Sequence, residues 1–240
     1  RQIRTALREL DGPLIVLKGA AYVAADLPAA AGRLFNDIDI LSPRERLLQA
    51  ESLLMMPDLF NFWLTGRIAA EFTDATTTQC YNPTSADWAW DLLDALEIPR
   101  RLFQPILKPA SILASLRPEV AVETGAGELP VVAVGSHDTA SAVAAVPAQS
   151  ERIVFISSGT WSLLGSVIPQ PVINAQSLRF NFTNEGGIGG GYRFLKNISG
   201  LWLVQECRRA WAAAGLEYSY AELTQMAAEA PAFHSLVDPN

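Results

Sequence analysis

An apolar run from Leu129 to Val134 ends in Gly135-Ser136-His137-Asp138-Thr139 and passes directly into the small-residue stretch Ala140 to Ala145. A short apolar run closed by glycine predicts a buried strand, and the residues beyond it predict a helix, so the fold must accommodate a strand–turn–helix unit with an acid at its turn. Similar units recur along the chain. Leu14 to Leu17 reads as a strand ended by Lys18-Gly19, followed by a helix over 20–26, a loop over 28–33 and a short strand over 38–41. Residues 43–56 predict a helix, with Pro43 where the first turn tolerates it. The aromatic-rich segment 58–66 is followed by Thr76-Thr77-Thr78, which favours loop or strand over helix. Residues 88–96 predict a helix, and 99–118, with four prolines, an irregular stretch. Arg152 to Ser157 is turned by Ser158-Gly159-Thr160 into Trp161 to Val167, a predicted hairpin, and 185–191 is a glycine loop. Residues 200–214 predict a helix with Val204, Cys207, Trp211 and Ala214 on an apolar side and Gln205, Arg208 and Arg209 opposite. Alternating strands and helices make the class α/β, with no internal repeat.

Half of the 240 residues are hydrophobic, enough for a sizeable core. The net charge of −7 and the absence of clustered Lys and Arg exclude a nucleic-acid backbone as partner and favour small molecules. Cys80 and Cys207 lack the spacing of a zinc site or disulfide framework and are expected to be reduced, buried thiols. No apolar run reaches the roughly 18 residues of a membrane span, and the N-terminus has no signal-peptide pattern, so the expected location is cytoplasmic. Nothing in the composition sets an oligomeric state.

Phosphoryl transfer to an alcohol needs a base for the hydroxyl proton, donors for the phosphates and a metal ion to spread charge. Asp138 stands where a carboxylate can project into a cleft at the carboxyl ends of a sheet, and it equally suits the N-cap of the helix that follows. The turn Ser157-Ser158-Gly159-Thr160 offers hydroxyls and backbone N–H groups to a phosphate, yet an empty hairpin turn reads the same.

Five strings narrow the choice: residues 53–66 (LLMMPDLFNFWLTG), 134–143 (VGSHDTASAV), 156–165 (ISSGTWSLLG), 181–187 (NFTNEGG) and 195–209 (LKNISGLWLVQECRR). They resemble, in that family's order, the rhamnulokinase branch of the FGGY carbohydrate kinases. The resemblance implies a partial actin-like, ribonuclease H-like two-domain sugar kinase fold with ATP and sugar between the domains. It implies that residues 53–148 are the C-terminal part of the first kinase domain and 149–240 the N-terminal part of the second, with a hinge near 147–151. Asp138 then matches the catalytic base. His137, Thr139 and Asn197 match sugar contacts beside it, and Gly159, Thr160 and Gln205 match ATP contacts. The implied substrates are ATP with Mg²⁺ and a ketose, L-rhamnulose becoming L-rhamnulose 1-phosphate.

The family's Asp-x-Gly-x-Ser phosphate element is not found in residues 1–52, and the sequence stops at Asn240 before the family's glycine-rich adenine segment. An incomplete nucleotide grip and weak turnover are therefore expected. Residues 14–41 instead resemble a fragment of the uncharacterised nucleotidyltransferase-like proteins, through Val16-Leu17-Lys18-Gly19-Ala20-Ala21, Arg33 and Asp37-Ile38-Asp39. Asp37 and Asp39 share one face of a strand, where they can jointly bind Mg²⁺ or simply be solvated. A metal-dependent nucleotidyltransferase-like module and a non-catalytic fragment remain the alternatives to a kinase.

Overall fold

The computed structural model describes residues 15–17, 39–41, 50–150 and 153–235. In chain order the elements are β1 (Ile15–Leu17), β2 (Asp39–Leu41), α1 (Met56–Thr65), β3 (Ala70–Glu71), α2 (Phe72–Ala75), β4 (Tyr81–Asn82), β5 (Asp87–Trp88) and α3 (Trp90–Ala95). There follow β6 (Ile106–Leu107), β7 (Ile112–Ser115), α4 (Pro118–Thr124), β8 (Pro130–Val132), α5 (Asp138–Ala144), β9 (Val154–Ser158) and β10 (Trp161–Ile168). The series ends with α6 (Ala175–Arg179), β11 (Thr183–Gly186), β12 (Tyr192–Ser199), α7 (Trp202–Ala213) and α8 (Tyr220–Glu229).

The chain divides into two compact units, residues 1–53 with 90–103, and residues 54–89 with 104–240. In the first, β1 pairs antiparallel with β2, Leu17 opposite Asp39. The expected helix over 20–26, the loop over 28–33, Arg33 and Asp37 lie outside the described residues. Of the helix expected over 43–56, residues 43–49 lie outside them too, and residues 50–55 are non-helical. A 3-10 turn at Arg100–Leu102 follows α3, and the Arg100 guanidinium lies 5.2 Å from the centre of the Trp90 ring.

The second unit holds the site. Pro57 and Asp58 suit the first turn of α1, where no N–H partner is needed and the helix dipole favours an acid. Gly66 closes that helix in the left-handed region at φ 74°, its N–H donating to the Phe62 carbonyl at 2.7 Å. A small core of Ala69, Leu113 and Ala133, with Leu107 and Val131, packs the parallel pair β3–β6 with the antiparallel pair β7–β8. β6 and β7 correct the expectation of an irregular stretch over 99–118, because Pro105 and Pro109 flank β6 without interrupting it.

The expected hairpin forms: β9 and β10 pair antiparallel and join β12 and β11 in a four-stranded sheet of order β11-β12-β10-β9. Val143 of α5 packs on Phe155 and Leu195 of this sheet. Gly165 faces both, and a Cβ there would lie 2.7 Å from Leu195 Cβ and 2.9 Å from Phe155 Cζ. Helices α6 and α8 begin with reciprocal caps, Asn174 with Ser177 and Ser219 with Glu222, local signals the sequence reading passed over.

Two expectations about α7 are corrected. Its apolar side is exposed, with Val204 and Trp211 each 37% accessible, and Cys207 is exposed while Cys80 is half-buried. The helix instead turns Arg208 inward, over the Tyr220 ring at 4.1 Å and onto the Tyr218 carbonyl at 2.8 Å. Arg208 leans its apolar stem and cationic head on an aromatic face, so a polar residue supplies the packing there.

Gly165→Ala is expected to overpack the β9–β10–β12 core and cost about 1–3 kcal/mol, read as a lower urea midpoint. An unchanged midpoint would show that Leu195 and Phe155 move aside freely.

Candidate functional site

Glu71 is the last residue of β3 and the N-cap of α2, and it is only 1% exposed. Its carboxylate accepts the backbone N–H of Thr73 at 3.0 Å and of Asp74 at 3.4 Å, so it caps the helix that follows it. The same group reaches a segment 65 residues away, accepting the Ser136 N–H at 3.1 Å and the Ser136 hydroxyl at 2.8 Å. The Thr73 hydroxyl donates to Glu71 and accepts the His137 N–H at 3.0 Å. The backbone just before Asp138 is thereby hung on buried side chains.

Two further buried acids adjoin this anchor. Asp58 of α1, 2% exposed, accepts the Glu71 N–H at 3.0 Å, and its other oxygen has no partner. Burial pushes the Asp58 carboxyl up to about 7, because a charge there would lose its hydration. Asp74 is also raised, first by burial, and one of its oxygens is likewise unpartnered.

Asp138 is the first residue of α5 with a side chain 96% exposed. The N-cap position belongs to His137, whose side chain makes no cap bond, so the capping alternative for Asp138 does not hold. Its Oδ1 accepts the Thr139 N–H at 2.6 Å and the Thr139 hydroxyl at 3.2 Å. An exposed carboxylate on a fixed turn is suited to take a proton from a bound hydroxyl.

Arg193 of β12 is fully buried and went unnoticed in the sequence. It donates from Nε to the Gly186 carbonyl at 3.1 Å, pairs with Glu185 at 3.0 Å, and approaches His137 Nδ1 at 3.3 Å. Burial lowers its guanidinium from the usual value, opposed by the Glu185 charge. Glu185 and Arg193 are direct cross-strand partners, the one signal by which an arginine among Tyr192, Phe194 and Leu195 was legible. Strand alternation puts Asn197 on the same β12 face as Arg193 and Leu195, opposite Leu163 and exposed.

The other sequence-derived residues gather at the β9–β10 turn. Gly159 and Thr160 form it, and their carbonyls accept the Leu201 N–H at 2.8 Å and the Trp202 N–H at 3.2 Å at the start of α7. Such an approach demands Gly200, where a Cβ would lie 2.4 Å from the Gly159 oxygen. Gln205, one turn into α7, donates to the Thr160 hydroxyl at 3.3 Å. Exposed hydroxyl, amide and glycine turn together are a donor set that fits phosphate oxygens. Among the described residues no group of three or more His, Cys, Asp or Glu is arranged to hold a metal ion. Asp39 lies on β2 and Asp37 outside the described residues.

Residues 42–145 match the FGGY family of carbohydrate kinases, N-terminal domain, and residues 154–240 its C-terminal domain. Residues 1–58 match a family described as uncharacterised nucleotidyltransferase. A rhamnulokinase of Oceanobacillus iheyensis is 44% identical over 190 residues, 79% of this chain and 39% of the relative. A rhamnulokinase of Bacteroides thetaiotaomicron is 42% identical over 191 residues, 80% of this chain and 39% of the relative. The chain thus spans 39% of the length of these curated relatives. The ligand-bound xylulose kinase of Lactobacillus acidophilus superposes with a TM-score of 0.66 at 20% identity, over 79% of this chain and 38% of that one. The α/β fold is that of the sugar kinases.

The buried Asp58 couples stability to pH. Its folded value near 7 lies above the ordinary 3.8, so its contribution is fully present below about pH 4 and lost as pH rises through about 7. Between those limits the slope is up to about 1.4 kcal/mol per pH unit. Urea titrations from about pH 5 to about pH 8 should show the wild-type midpoint falling more steeply than that of Asp58→Asn, which keeps an acceptor for the Glu71 N–H. Parallel curves would mean that Asp58 is charged in the folded state.

Proposed function

We propose that this chain, which belongs to the FGGY family of carbohydrate kinases, carries the base and part of the ATP contacts of a ketose kinase acting on L-rhamnulose. The observation that carries the reading is Asp138, exposed on a turn tethered through Ser136 and His137 to buried Glu71 and Thr73.

In this reading the 1-hydroxyl oxygen of the sugar attacks the γ-phosphorus of ATP, and its proton passes to the Asp138 carboxylate. A new O–P bond forms, the bond to the β–γ bridging oxygen breaks, and ADP leaves. His137, Thr139 and Asn197 orient the sugar. Gly159, Thr160 and Gln205 meet the phosphates, Gln205 holding the Thr160 hydroxyl in place beforehand. Mg²⁺ would arrive with the nucleotide and neutralise developing charge, since it is bound largely through phosphates and water. Residues 53–148 and 149–240 serve as parts of the first and second kinase domains. A cytoplasmic location belongs to this reading; among the described residues no helix is long and apolar enough to cross a membrane.

A coupled ADP-release assay with L-rhamnulose, ATP and Mg²⁺ tests the proposal. Asp138→Asn should lower turnover by about 10²–10⁴-fold with little change in the unfolding midpoint, since the side chain is exposed. No turnover from either protein, or equal turnover from both, overturns it.

A second reading attaches to residues 1–58, where the nucleotidyltransferase match includes Asp39 on β2. It requires metal-dependent nucleotide binding that Asp37→Ala abolishes and Asp138→Ala leaves intact; a calorimetric titration giving the opposite pattern removes it.

A further inference from the structure

We infer that Arg193 is a positioning residue that fixes the tautomer of His137 and thereby keeps the neighbouring Asp138 carboxylate free of a hydrogen bond from that ring. The inference rests on the proposed role of Asp138 as base.

A guanidinium has only donors, so at 3.3 Å from Arg193 the Nδ1 of His137 must act as an acceptor. The proton of the neutral ring then sits on Nε2. The alternative tautomer would set N–H against N–H. Arg193 cannot easily turn away, because its Nε is committed to the Gly186 carbonyl, the same Nη2 that faces His137 also pairs with Glu185, and the whole residue is buried. The His137 backbone is also held, its N–H on the Thr73 hydroxyl.

The consequence for Asp138 follows from one distance. His137 Nδ1 lies 3.8 Å from Asp138 Oδ1, beyond a hydrogen bond yet within reach of a small ring movement. Were Nδ1 to carry the proton, it would donate to that carboxylate and compete with the substrate hydroxyl for it. Arg193 occupies the Nδ1 lone pair and removes that option, while Nε2–H remains a donor for a sugar oxygen. The residue thus acts through His137, and touches neither Asp138 nor the substrate.

The sequence contains two histidines, His137 and His234, so the imidazole tautomers can be read by long-range ¹H–¹⁵N correlation spectra of the wild-type chain. Assignment comes from His234→Gln. At about pH 8, where an ordinary imidazole is neutral, His137 should show a protonated Nε2 and an unprotonated Nδ1. Arg193→Lys, which keeps a buried cation for Glu185, and Arg193→Met should each shift His137 toward a mixture of tautomers. In the kinase assay both should lower kcat by about 10²-fold, the scale of a displaced catalytic group, with a smaller change in KM. A wild-type His137 protonated at Nδ1 overturns the inference without any variant being needed. Unchanged tautomers in a folded Arg193→Lys overturn it as well. The spectra do not depend on turnover, so failure of the kinase reading and failure of this one are separable.

Discussion

The turn that presents Asp138 hangs from the carboxylate of Glu71. It is buried, closes the first turn of α2 and takes both donors of Ser136, so one side chain joins β3, α2 and the turn that presents Asp138. A buried carboxylate is tolerated only when its lone pairs are filled, and here the filling groups belong to segments that must therefore meet. Thr73 extends the tie by one residue, to His137. Neither Glu71 nor Thr73 reaches the proposed chemistry, and both set its geometry.

Around that anchor, close contacts replace side-chain bulk. A Cβ at Gly186 would meet the Phe72 ring at 2.7 Å, and one at Gly135 would meet Ile188 Cδ1 at 2.6 Å. Phe72 in turn packs edge-on against Tyr81 and Tyr192 at 5.8 and 5.9 Å between ring centres. The Gly186 N–H donates to the Thr76 hydroxyl at 2.7 Å, so the end of α2 is stitched to β11, the strand that supplies Glu185 to Arg193. The route from Glu71 to Arg193 is continuous packing and hydrogen bonding. A few misplaced tenths of an ångström at a glycine would therefore be felt at His137.

The residues at the β9–β10 turn are organised by a separate device. Gly200 lets the start of α7 close on the β9–β10 turn, and Gln205 then lies one helical turn in, where it can reach Thr160. Thr160 and Gln205 come together through one glycine and the pitch of a helix, with no burial of either to enforce it.

Much of this was legible in the sequence. The hairpin through Ser158-Gly159-Thr160, the turn at 135–139 and the helix carrying Gln205 are local features, written in apolar runs, glycines and helical spacing, and the family strings assigned their residues. The existence of α1, the short strands among the prolines and the exposed side of α7 were not, because tertiary packing overrides propensity where local signals are weak. Glu71 and Thr73, and the tie from Arg193 to His137, were invisible for a stricter reason: these partners lie 65, 64 and 56 residues apart, and no periodicity encodes such a pairing. The sequence by itself determined which groups are candidates for a phosphoryl transfer. Only the tertiary structure decided which buried charges hold those groups still, since the cost of an unpartnered buried polar group acts only once distant segments are packed together.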